Sequence, residues 1–100
     1  MHKLLVLYPE PADRETFREY YESKHLSLAE KLPGLLAWRY SCDVQSESGE
    51  SAYFALFEAE FETKEAMENA MASPEGRAVQ ADVSNYASGG AVVLNYPVQP

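Results

Sequence analysis

Cysteine is all but missing from this 100-residue chain: Cys42 stands alone, so an internal disulfide is impossible and no CxxC pair is present to hold zinc. Histidine is nearly as scarce. His2 and His25 lie in different segments, without HExxH spacing or a neighbouring carboxylate cluster, which argues against a structural metal. Basic residues are outnumbered eight to sixteen, and the formal net charge of -8 repels phosphate backbones and anionic lipid headgroups. Neither nucleic acid nor a membrane is therefore an expected partner. No apolar run approaches the roughly 20 residues of a membrane span. The start, Met1-His2-Lys3, lacks a signal-peptide pattern, and the cytoplasm is the expected compartment. GxGxxG, P-loop and GxSxG patterns are absent too, which leaves dinucleotide binding, phosphoryl transfer and triad hydrolysis without positive support. No cofactor is expected.

What the chain does have is 46% hydrophobic residues, with aromatics making up 12% of the chain, enough for one globular domain over residues 1–100. Lys3 to Tyr8 is a short apolar run closed by Pro9 and Pro11, and reads as a strand. Asp13 can cap a helix in which Phe17, Tyr20, Tyr21, Leu28 and Leu32 recur at helical spacing up to about Lys31. Pro33-Gly34 stops it. Leu35 to Val44 reads as a second strand, Gln45 to Glu50 as a hairpin loop, and Ala52 to Phe61 as a third strand with every odd position apolar. Thr63 and Ser73 can each cap a further helix, the second with Pro74 at its first position and running toward Tyr86. Gly89-Gly90 then leads into a last strand, Ala91 to Tyr96.

The order β-α-β-β-α-β predicts an α+β, ferredoxin-like split β-α-β fold: a four-stranded antiparallel sheet with its helices on one face. If the odd residues of the third strand pack on the helices, the opposite face is expected to show Phe54 and Leu56, with Leu36, Trp38, Tyr40 and Cys42 from the second strand. A set this apolar predicts a homodimer whose two sheets face each other as a barrel with a pocket between them. The simpler alternative covers that face with loops and the chain's own tail.

His25 falls on the apolar stripe of the first helix, where an imidazole can serve as general acid or base in a closed pocket; its alternative is a histidine bonded to a carbonyl near the helix end. Tyr20, Tyr21, Trp38, Tyr40, Phe54 and Tyr86 are candidates for lining the pocket, Trp38 and Tyr40 first among them because they share the face away from the helices. Most aromatics of this kind are plain core. Glu58 shares the Phe54 parity and is a candidate pocket carboxylate, or else a rim residue paired with Arg39. Asp82 and Arg77 read as a surface pair.

The segments LYP at the end of the first strand, YYESKHLSLAEKLPGL and SPEGRAVQADVSNYASGG resemble the EthD family across essentially the whole chain. The family pattern often has proline two residues after the histidine, where this chain has Ser27. The resemblance implies a dimeric α+β barrel, an architecture shared with muconolactone isomerases, cofactor-free quinol and anthrone oxygenases and some haem-handling enzymes. It supports His25 as a pocket residue. The resulting expectation is a cofactor-independent oxidoreductase or isomerase acting on an apolar, cyclic or aromatic oxygenated compound, with His25 moving a proton and Tyr40 or Tyr21 holding an oxygen. The competing expectations are a carrier that binds a hydrophobic metabolite unchanged, and haem ligation through His25.

Overall fold

Three short side chains set where the helices begin. Asp13, Thr63 and Ser73 each accept a hydrogen bond from a backbone N–H three residues on, at Thr16, Ala66 and Gly76, all at 3.0 Å. In the computed structural model, which describes residues 1–99, the elements follow in the order β1 (His2–Pro9), α1 (Arg14–Tyr20), a π-helical turn (Tyr21–His25), α2 (Leu26–Ala29), β2 (Ala37–Ser41), β3 (Tyr53–Phe61), α3 (Lys64–Ala72), α4 (Pro74–Asp82), a 3-10 turn (Val83–Asn85) and β4 (Val92–Pro97). The strands form one antiparallel sheet in the order β2-β3-β1-β4, the ferredoxin-like α+β arrangement. None of the helices among the described residues is long and apolar enough to cross a membrane.

The expected first helix is not uniform. At its middle the Leu26 N–H bonds to the Tyr21 carbonyl, five residues back, giving the wide turn of a π-bulge. Helix α4 starts directly from the end of α3, with Ser73 closing one and capping the other. The junction is tight: a Cβ on Gly76 would collide with the backbone carbonyl oxygens of Ala70 and Met71, so only glycine fits there.

Residues paired across an antiparallel sheet share a face, and the register therefore assigns the two sides. Leu4 and Val6 pair with Ala59 and Phe57, and Tyr8 with Ala55. These, with Phe61, Phe17, Tyr21, Ala29, Leu32, Met67 and Ala70, make the core between sheet and helices. Trp38 and Tyr40 pair with Ala59 and Phe57, so they lie on the helix side, opposite to the expectation. Phe54 also departs from it. The β1–β3 register slips between Tyr8 and Pro9, and this irregularity turns Phe54 under α1, where it is buried edge-on against Phe17 at 5.1 Å with the Arg14 guanidinium over its ring.

An open, largely apolar sheet face does exist, with Leu56 on it as expected and the rest of it drawn from β1 and β4. Leu5 and Leu7 of β1 sit beside Leu94 and Val92 of β4, and Leu56 of β3 lies across from Leu7. Leu94 is 46% exposed and Tyr96 39%. An ionic border runs along one side, where Lys3 bridges Glu58 at 3.0 Å and Glu60 at 3.6 Å, and Arg39 reaches Glu60 at 3.7 Å. Glu58 thus faces away from the helices as expected, and its partner is Lys3.

Candidate functional site

A largely enclosed space lies between helices and sheet. A cavity of about 160 Å³ is lined from the sheet by Leu4, Val6, Tyr8, Phe57 and Val93, and from the helices by His25, Ala29, Leu32, Met71, Val79, Gln80 and Val83. This cavity lies within a single chain, on the helix side of the sheet and not on the face expected to meet a partner. The physical reason is β4: no helix covers its inner face, where Val93 remains 57% exposed, so the core thins toward that edge and leaves a space that opens between α4 and β4.

His25 is the cavity's one imidazole, and its position comes from the π-turn. That turn carries Tyr21 and His25 on its inward side with rings stacked at 5.3 Å. Tyr86 packs against both, 4.5 Å from His25 and 5.3 Å from Tyr21. The His25 Nδ1 lies 2.9 Å from Asp82 Oδ2. An ionised carboxylate can only accept, so Nδ1 carries the proton and the lone pair of the neutral ring sits on Nε2. Nε2 makes no hydrogen bond to the described residues, and it belongs to a ring that lines the cavity.

Asp82 is itself held in place. Its Oδ1 accepts from the Tyr20 hydroxyl at 2.6 Å and from the Asn85 amide at 2.9 Å. Burial opposes its charge, but the hydrogen bonds from Tyr20, Asn85 and His25 carry its pKa below the usual value. For His25 burial is the largest influence and pushes the pKa down, with Asp82 opposing it in part. The resting ring is therefore neutral at neutral pH, a base with its lone pair available.

That depression has a stability consequence. The unfolded chain takes up the His25 proton near pH 6.5, whereas the folded chain resists until lower pH. Stability is complete above about 6.5 and falls as pH drops from there toward the folded pKa. Thermal unfolding across this window is expected to show a decline that His25→Gln removes. The lowered Asp82 pKa acts in a separate, more acidic range, where stability is lost as the carboxylate is protonated.

The other predicted site residues separate into two groups. Tyr21 and Tyr86 stand with His25, and the Tyr86 hydroxyl is hydrogen-bonded to that of Tyr8 at 2.7 Å. Trp38 stacks on the back of Phe57 at 6.0 Å, outside the cavity wall. Tyr40 donates to Glu22 at 2.8 Å on the surface, while Phe54 lies under α1 and Glu58 lies on the open face, away from the cavity. Sequence reasoning missed Tyr8, and it misplaced Asp82, which is buried against His25 and Tyr20 and not paired with Arg77 at the surface. Asp82 had a signal: it shares one helical face with Val79, Val83 and Tyr86, and a carboxylate on an apolar stripe calls for a buried partner.

Among the described residues no three His, Cys, Asp or Glu side chains gather as a metal site. Haem, with four pyrrole rings, is larger than the enclosed part of this cavity.

The EthD domain pattern matches residues 9–90. An uncharacterised 11.0 kDa protein from the thcB-thcC intergenic region of Rhodococcus erythropolis is 40% identical over 95 residues, covering 94% of this chain and 91% of that protein. The crystal structure of an EthD family protein from Bacillus halodurans superposes with a TM-score of 0.92 at 30% identity, over 99% of both chains. Two more distant structures share the fold. The hydroxynitrile lyase of Passiflora edulis has a TM-score of 0.72 at 16% identity, over 98% of this chain and 92% of that one. A mutant of SnoaB, a cofactor-independent oxygenase from Streptomyces nogalater, has 0.69 at 9% identity, over 99% and 93%.

Proposed function

The chain belongs to the EthD family, and from that premise we propose that it is a small-molecule enzyme whose chemistry begins with proton abstraction by His25 from an apolar, oxygenated compound bound in the cavity. One observation supports this reading: an imidazole on the wall of an apolar cavity is held through one nitrogen by a buried carboxylate and has its other nitrogen free of hydrogen bonds to the described residues. A histidine serving only to satisfy a carbonyl would not need Asp82, Tyr20 and Asn85 arranged behind it. Isomerisation and cofactor-free oxidation can both start from the same abstraction. The fold neighbours, a lyase and a cofactor-independent oxygenase, are consistent with that range.

The functional unit in this reading is a homodimer, because Leu5, Leu7, Leu56, Val92, Leu94 and Tyr96 form an apolar patch on the helix-free side of the sheet. The reaction site lies within each protomer, on the other side of that sheet.

Solvent-deuterium exchange tests the proton chemistry without knowledge of the natural substrate. Monocyclic ketones incubated with the protein in D₂O are expected to gain deuterium beside the carbonyl faster than in buffer, as read by NMR. Tight binding of the same ketones with no gain in exchange would favour a carrier.

A further inference from the structure

Besides His25, the cavity wall carries two polar residues, Tyr8 and Gln80, and the role given to His25 accounts for neither. The Tyr8 side chain lines the cavity with His25, and its hydroxyl is bonded to that of Tyr86. Two hydroxyls that share a single bond bring two protons, so one is always left over. A third hydroxyl, that of Tyr21, is wholly buried near the Tyr8 hydroxyl, to which it can donate only in a poorly formed hydrogen bond. Buried donors without acceptors are rare in native proteins, and each demands an explanation. Here the three phenols cluster around His25 and Tyr8, the two residues of the group that line the cavity. Burial pushes the pKa of all three phenols up, so they remain donors at any physiological pH.

We propose that Tyr8, backed by Tyr86 and Tyr21, is an oxyanion site that receives the carbonyl oxygen of a neutral, single-ring carbon acid while His25 removes the proton beside that carbonyl. This rests on His25 acting as the base. The substrate class follows from size and charge. A dry cavity of about 150 Å³ accepts benzene, so about 160 Å³ matches one six-membered ring. Among the described residues, the only polar side chain on its wall apart from Tyr8 and His25 is Gln80, whose amide nitrogen is already bonded to the Met71 and Gly76 carbonyls. That wall carries no lysine or arginine to match a carboxylate or phosphate.

The chemistry balances within these groups. His25 Nε2 takes the proton from the carbon, the C–H electron pair forms the new C=C bond, and the carbonyl π pair moves onto oxygen, where a tyrosine hydroxyl donates to it. Return of that proton from Nε2 to a different carbon of a conjugated ring completes an isomerisation and restores the imidazole. No oxidant is consumed. Donors already aimed at the developing charge stabilise it more in this apolar space than water would.

The phenol 4-nitrophenol mimics such an enolate in size and charge, and its ionised form is visible by absorbance. Titrated into the intact chain at a pH below its own pKa, it is expected to bind as the phenolate with its proton on His25. Tyr8→Phe should weaken binding roughly 10- to 100-fold, the scale of a lost hydrogen bond to a charged group, and should leave the bound ligand un-ionised. Tyr86→Phe keeps the Tyr8 hydroxyl and should cost several-fold less. Equal affinity and equal ionisation in wild type and a folded Tyr8→Phe would overturn the proposal, as would a larger loss in Tyr86→Phe than in Tyr8→Phe. Ketone exchange separates this from the base itself. Exchange that needs His25 but persists undiminished in Tyr8→Phe removes only the oxyanion site, whereas Tyr8-dependent phenolate binding without any exchange in wild type removes only the base.

Discussion

Glutamine at position 25 is expected to lower ketone exchange, and turnover of any substrate so identified, by about 10²–10⁴, the usual contribution of a positioned general base. Glutamine keeps the bulk of the side chain but has no lone pair of suitable basicity to present to the cavity. Asp82→Asn should lose most of the same factor although it touches no substrate. An asparagine amide can donate to Nδ1, which would move the imidazole proton to Nε2 and take the lone pair away from the cavity. It would also leave Tyr20 and Asn85 without the charged acceptor they now share. The loss should fall on kcat, with KM nearly unchanged, since the apolar walls that bind the ring are intact. A ¹⁵N spectrum of His25 should report the change of tautomer. Wild-type kcat in Asp82→Asn, with the tautomer changed, would show that the imidazole is not the base.

The fold was legible because its signals are local and repeated. Alternation over Ala52–Phe61, the caps at Asp13, Thr63 and Ser73, and the Pro33-Gly34 stop each act within a few residues, and Gly34 does take the positive φ of 75° that such a stop requires. His25 was legible for the same reason, as a polar residue on an apolar helical stripe. The errors came from quantities that a single element does not carry. Which parity of β2 meets the helices depends on its register with β3, and the pairing of Tyr40 with Phe57 reverses the face inferred from β2 alone. Phe54 was misplaced because a register slip at Pro9 changes the parity at that end of the strand. The contact of Asp82 with His25 joins residues 57 apart in sequence. Nothing in the spacing of α4 announced its partner, only that a carboxylate stood where an apolar residue was expected.

The cavity's place on the helix side bears on the proposed role of the open sheet face. With the proposed site on the other side of the sheet, that face is left to association alone, and a charge placed on it should separate assembly from chemistry. Leu94→Glu is the sharper substitution, because Leu94 is 46% exposed on an edge strand and its loss disturbs little inside the protomer. In a two-fold dimer the change enters the interface twice. Full burial of a leucine is worth about 1.5–3 kcal/mol, and with Leu94 46% exposed in the protomer association gains about half of that from each copy, so the pair costs about 1.5–3 kcal/mol. That is a rise of roughly 10- to 100-fold in the dimer dissociation constant, before the cost of burying two carboxylates and their repulsion with each other and with the nearby Glu58. Light scattering at micromolar concentration should therefore find a dimer in the wild type and a monomer in Leu94→Glu. The same kind of charge change on the outer face of α1, Glu19→Lys, should leave the dimer intact. Binding of 4-nitrophenol by the Leu94→Glu monomer should survive, since every residue that lines the cavity comes from one chain. A wild-type monomer would refute the homodimer, and loss of phenol binding on dissociation would show that the partner completes the site.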